Sequence, residues 1–146
     1  MEFVDRNIQI LTELRELIKS ITAQRFINTN NIITNHSIGS YVEEVVHYYQ
    51  NLISGIYRNE IKYDAQVNDH SIKLNYPLAL AAIDDIIFAL QGLNEDRKLA
   101  VSGLEEQTQE LSSTVTRELA YNYDHTNHLL SMIKIALQVE KPRASA

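Results

Sequence analysis

Apolar residues recur at three- and four-residue steps in four stretches of this chain, and each stretch predicts a helix. From Asp5 to about Ala23, Ile8, Leu11, Leu14, Ile18 and Ile21 share a side, while Arg6, Glu13, Glu16 and Lys19 fall largely elsewhere. A second helix, roughly Ile38 to Ser54, aligns Ile38, Val42, Val45, Tyr49 and Leu52, with Tyr41 and Tyr48 flanking the stripe. Glu44 lies just beyond that flank, and His47 points away from it. A third helix starts at Tyr76-Pro77, where proline suits the first turn, and buries Leu80, Ile83, Ile87 and Leu90 before Gly92. Asp85 then falls outward and Asp84 at the edge of the seam. The last helix, capped by Ser112, Ser113 or Thr114, carries Val115, Leu119, Asn122, Thr126, Leu129, Ile133 and Leu137 on its inner side and stops by Lys141, ahead of Pro142.

The connections read differently. Thr29 to Ser37 is rich in Asn, Thr and Ser, which compete for backbone groups, and predicts a loop. Gly55 is the expected end of the second helix, and Tyr57 to Asp69 shows no sustained period, so a loop covering one end of the fold is expected. Lys98 to Leu111 alternates weakly, as a short hairpin or an extended connection would. The expected fold class is therefore all-α: a four-helix bundle with longer connections, and a short hairpin or an extended connection before the last helix. There is no internal repeat.

Composition narrows the field. A chain of 146 residues fits a single domain over 1–146 and, at this size, buries roughly 70% of the surface its unfolded form exposes. Apolar residues make up 45%, and only four Gly and two Pro argue against a turn-rich β architecture. The net charge of −6, with no local Lys/Arg cluster, would repel phosphate backbones, so no nucleic-acid partner is expected. Without cysteine there is no disulfide, thiolate ligand or cysteine nucleophile. Glu2 and Asp5 stand where a secretory signal would carry base, and Pro77 to Gly92 is interrupted by two aspartates and too short to span a bilayer. The expectation is a soluble, cytoplasmic protein without a membrane partner.

Candidate chemistry centres on Arg117 to Leu129, where two of the five histidines, His125 and His128, stand three residues apart in a helical run. Positions i, i+3 and i+4 lie near one helix face, so His125 and a second ligand at 128 or 129 could share an ion; position 129, however, is leucine. The plainer reading is a hydrogen-bonded His125 inside the bundle and a surface His128. In the sharper one, His125 joins a ligand from across the bundle, for which Glu44 is the candidate. Glu118, two turns before His125, reads as an exposed carboxylate, or alternatively as a group orienting a ligand. Glu44-Val45-Val46-His47 spells the Glu-x-x-His of carboxylate-bridged diiron bundles, but that pair is needed twice and no second copy exists. Asp84 and Asp85 read as a solvated face, His36, His47 and His70 as exposed, and most of the eight tyrosines as core. No phosphate loop, Gly-x-Ser-x-Gly elbow or His-Glu-x-x-His is present, so no catalytic residue is assigned.

Ser37-Ile38-Gly39 opening the second helix, Tyr63-Asp64 after it, and Ser112-Ser113-Thr114 with Arg117-Glu118-Leu119 leading into His125-Thr126-Asn127-His128 together resemble the DinB-like superfamily over about residues 37 to 137. The resemblance implies a four-helix bundle, often a homodimer, that holds Zn or Ni through three histidines, one on helix two and two on the last helix. Some subfamilies are metal-dependent thiol transferases. Carried across, the ligand positions fall on Glu44, His125 and Leu129, and Tyr41 stands where the related pattern often has another histidine. A glutamate can ligate zinc, and His128 could substitute for position 129. The leading expectation is a DinB-like domain with a degenerate metal site of remnants Glu44, His125 and His128, which needs no cofactor and binds a small-molecule ligand or a protein partner. The competing expectations are a metal-dependent enzyme using those three residues, with Zn or Ni as Lewis acid, and a purely structural dimeric bundle.

Overall fold

The computed structural model describes residues 1–29, 36–65, 67, 69–103 and 109–140, with the side chains of 139 and 140 left aside. Within these residues the fold is largely helical. Helix α1 spans Glu2–Lys19, α2 Ala23–Ile27, α3 Ile38–Arg58, α4 Tyr76–Gln91 and α5 Val115–Glu140. Strands β1 (Glu60–Lys62), β2 (Lys98–Ser102) and β3 (Leu111–Thr114) and a single 3₁₀ turn at Ile72–Leu74 complete it. The four long helices pack in a ring, α1 against α5, α5 against α3, α3 against α4 and α4 against α1.

Local chemistry sets the helix boundaries. The Ser37 side chain accepts from the Ser40 amide at 3.0 Å, that of Asn75 from Leu78 at 3.0 Å, and that of Thr114 from Arg117 at 3.1 Å, so each long helix after the first begins at a residue that satisfies an orphan N–H. The first helix is shorter at its end than its apolar period predicts. Ser20 closes α1, and Thr22, accepting from the Arg25 amide at 3.1 Å, starts the separate α2.

Gly55 does not end the second helix. It lies buried inside α3, which continues to Arg58 and closes on Asn59 in the left-handed conformation, φ 60°. The glycine is there for space: a Cβ at this position would stand 2.8 Å from the Glu60 carbonyl oxygen and collide with Ile61. The helix and the strand that follows it can therefore touch along their backbones.

The all-α expectation is corrected by a three-stranded sheet in the order β1-β2-β3. The weakly alternating segment forms the hairpin option, with β2 and β3 antiparallel in the register Lys98↔Thr114 to Val101↔Leu111. The third strand lies inside the predicted Tyr57–Asp69 loop. Glu60–Lys62 pairs in parallel with Ala100–Ser102, a contact that closes only after α4 has crossed over. Three residues carry too little alternation to announce a strand, and the partner lies about 40 residues downstream, so the pairing is tertiary in origin. The predicted Asn/Thr/Ser loop falls mostly outside the described residues, but its ends, Thr29 and Ser37, form a β-bridge.

The core is formed by most of the predicted stripes, except that Ile8, Ile21, Leu80, Ile87 and Leu137 are only partly buried and α4 turns Ala79 and Ile86 inward beside Ile83 and Leu90. Leu11, Leu14 and Ile18 of α1, Val42, Val45, Tyr49 and Leu52 of α3, Ile83 and Leu90 of α4, and Leu119 and Ile133 of α5 are all buried. Asn7 threads a polar stitch through it. The Asn7 amide donates to the Phe3 carbonyl at 2.6 Å and the Leu119 carbonyl at 3.0 Å, and its oxygen accepts from the Tyr49 hydroxyl, joining α1, α3 and α5. Burial pushes the Tyr49 phenol well above its ordinary value, so it remains a hydrogen-bond donor. Among the described residues no helix is long and apolar enough to cross a membrane.

The two glycine contacts generate opposite expectations. Gly55→Ala should destabilise the protein by about 1–3 kcal/mol, because overpacking against a backbone exceeds the gain in helix propensity. At Gly92, where a Cβ would meet nothing nearer than the Ala89 carbonyl oxygen at 3.5 Å, Gly→Ala should be neutral or stabilising by up to about 1 kcal/mol. Urea denaturation of both variants measures the difference.

Candidate functional site

Helix α3 has two working faces. One is the apolar stripe already described. The other carries Ser40, Glu43, Glu44, His47, Tyr48, Asn51 and Ser54, and with His36, Tyr63, Ala65, Val67, His70 and Lys73 it lines a cleft of about 650 Å³. The cleft lies between the outer face of α3 and the segment that leads from β1 toward α4. Its size is in the range of roughly 300–1,000 Å³ usual for small-molecule sites.

One wall is held by a buried carboxylate. Glu118, on the first turn of α5, accepts from the Ser113 hydroxyl of β3 at 2.6 Å and from the Tyr63 hydroxyl beyond β1. It is thus neither the exposed carboxylate expected from its helix position nor an orienter of His125. Burial, and next the Glu118 carboxylate beside it, push the Tyr63 phenol far above its ordinary value, so Tyr63 stays protonated and donating. The Tyr63 ring meets Tyr121 edge-on at 5.3 Å and lies 6.2 Å from the ring of Tyr48.

At the edge of the cleft, α3 and α5 are joined by a short chain of contacts. The His125 ring stacks on Tyr48 at 3.7 Å, 4° from parallel, and its Nε2–H donates to Glu44 Oε2 at 3.1 Å. The other ring nitrogen, Nδ1, is buried and without a hydrogen-bond partner among the described residues. The His125 hydrogen bond is the largest influence holding the Glu44 carboxyl below its ordinary value of 4.5, and partial burial opposes it. Burial raises the Tyr48 phenol.

Farther along the cleft, Glu43 is 5% exposed. Its Oε2 lies 3.5 Å from Nδ1 of the exposed His70, whose ring meets that of His47 edge-on at 6.2 Å. Its Oε1 is buried and has no partner among the described residues.

Of the residues singled out for metal binding, the fold brings two together. Glu44 and His125 are in contact, whereas His128 is exposed and bears on Glu44 only through its charge, as the weakest of the groups that lower it. Leu129 is buried in the core. Among the described residues no three His, Asp or Glu side chains are grouped so that they could hold a metal ion. This donor set does not fit Zn or Ni. Asp84 accepts an ion pair from Arg15 at 2.6 Å on the surface, and Asp85 is exposed. His36 and His70 are exposed, while His47 is half-buried in the cleft wall.

Glu43, His47 and His70 as a group were not visible in the apolar period, which assigns the outer face of a helix to solvent. A signal was nevertheless present. Between Ile38 and Tyr57 the second helix contains no Lys or Arg, and its outer positions carry neutral polar, acidic, imidazole and tyrosine side chains. No protein-family model, curated protein or solved structure matches the chain.

Two expectations follow from the wall and the bridge. Tyr63→Phe removes one of two donors from a buried carboxylate and should cost about 1–3 kcal/mol in urea denaturation. For the bridge, Glu44's lowered pKa means that its stabilising contribution is fully present above pH 4.5 and is lost as pH falls through the depressed folded value. With Glu44 52% exposed, the contribution should stay below about 1 kcal/mol, so wild type and Glu44→Gln should differ modestly at pH 6 and converge as pH falls below the depressed Glu44 value.

Proposed function

We propose that this chain is a DinB-like helical protein with a degenerate metal corner, and that it acts by binding a small ligand in the cleft along the outer face of α3. The observation that carries the reading is the cleft itself. It holds about 650 Å³ beside a packed core, is lined by convergent hydroxyl, amide, carboxylate and imidazole groups, and is walled by a tyrosine held through buried Glu118. The reading draws on the ring of four long helices and on the sequence positions that carry the resemblance. The chemistry has moved from the expected corner. There, Leu129 supplies hydrocarbon, and Glu44 is engaged by His125.

Reading the chain as a binding protein rather than a metal-dependent transferase rests on the donors. A Lewis-acid mechanism needs about three protein ligands converging on one point and an open position, and Glu44, His125 and His128 do not converge. Recognition needs only shape and a few fixed polar groups, which the cleft supplies.

The test is a fragment screen by ¹H–¹⁵N NMR with neutral, anionic and cationic members. At least one class should shift the amides of Ser40, His47, Tyr48 and Asn51 with a saturable curve. Ala65→Trp, which places a bulky ring in the cleft from its exposed wall, should weaken that binding at least tenfold. Screening in which no fragment binds, or in which Ala65→Trp leaves every affinity unchanged, sinks the proposal.

A further inference from the structure

Among the described residues of the cleft, Glu43 is the carboxylate left short of hydrogen-bond donors. It is 5% exposed and lines the cavity, one oxygen has only the long 3.5 Å contact to His70, and the other is buried with no partner among the described residues. Glu44, the adjacent acid, is already engaged by His125. We propose that the cleft takes a small organic cation, a primary amine or guanidinium, whose N–H groups bind the Glu43 carboxylate. This rests on the reading of the cleft as a ligand site and names what enters it.

The asymmetry between buried and exposed charges favours a cation over an anion. Lys73 also lines the cleft and forms no ion pair among the described residues, but a partly exposed ammonium on a flexible stem remains solvated by water. A buried carboxylate oxygen without a donor loses its hydration and receives nothing in return. A ligand N–H therefore gains more at Glu43 than a ligand carboxylate gains at Lys73. The formal charge of the lining agrees, with two carboxylates against one ammonium when the imidazoles are neutral.

Neighbouring groups suit an organic cation better than a metal ion. The His47 and His70 rings stand 6.2 Å apart, and with Glu43 they do not make a group able to hold a metal. They offer instead acceptor nitrogens and flat surface. Tyr48 and Tyr63 add ring surface to the wall, which attracts ammonium and guanidinium groups. Ser40, Asn51 and Ser54 supply neutral polar groups along the same helix face.

Agmatine and 1,4-diaminobutane are the probes, with 1,4-butanediol and succinate as neutral and anionic counterparts of similar length, titrated into the full chain by NMR and calorimetry. The amines should bind saturably, at least tenfold more tightly than the diol, and should shift the His47 and His70 ring protons. Glu43→Gln should weaken amine binding at least tenfold, whereas Asp85→Asn, the same charge change on the exposed face of α4, should alter it less than twofold. Unchanged amine affinity in Glu43→Gln overturns the proposal. If that variant does not fold, the wild-type shift map decides: amine-induced shifts that miss His47 and His70 overturn it equally. Diol or succinate binding in the cleft without amine binding removes the cation inference and leaves the ligand site standing. Absence of binding by all four probes and by every fragment class removes both.

Discussion

The Glu118 carboxylate is the point on which the arrangement around the cleft depends. Moving such a group out of water costs several kcal/mol, and here that cost is offset by two hydroxyl donors, Ser113 on β3 and Tyr63 beyond β1. Neither donor belongs to the helix that carries the acid's main packing. The carboxylate is satisfied only when α5, the hairpin and the post-β1 segment occupy their places together. Tyr63 is then fixed as a wall of the cleft and set beside Tyr48. A surface ion pair such as Arg15–Asp84 has no such consequence, because either partner alone is content in water.

The sheet has a corresponding role for the backbone. Gly55 lets β1 approach α3 closely, β1 pairs with β2, and β2 pairs with β3, whose last residue caps α5. One sequence of contacts thus runs from the end of α3 to the start of α5. It fixes the axial register in which Glu44 and His125, 81 residues apart, meet across the two helices. The Asn7 stitch holds the same helices from the opposite side of the core, through Tyr49 on α3 and the Leu119 carbonyl on α5.

What could be read from the sequence follows from the range of each physical signal. Helical period is local and was legible: Val42, Val45, Tyr49 and Leu52 line up at three- and four-residue steps and are all buried, and Thr114 caps α5 as one of three named candidates. The Glu44–His125 meeting was legible as a pair because both residues flank inner stripes of helices expected to face one another. Strand β1 was not, since three residues show no period and the partner strand is remote. Gly55 misled because a glycine required for close approach looks the same in sequence as one that ends a helix. Glu118 misled in the opposite direction. Its helix position sits at a flank, and only the hairpin folding over it makes that flank interior.

The outer face of α3 shows why the cleft-lining residues were the hardest to see. Periodicity separates core from everything else, and it cannot divide the remainder into solvent and cleft. Across the cleft from Glu43 and His47 stand Tyr63, Ala65, Val67, His70 and Lys73, and Glu43 is buried. A helix face meant for water would gain solubility from long basic side chains, and α3 has none before Arg58. Short polar groups leave room beside the helix, and the acid at its centre is left short of donors. With Leu129 in the core and Glu44 bound by His125, Glu43 is the cleft carboxylate left short of donors among the described residues.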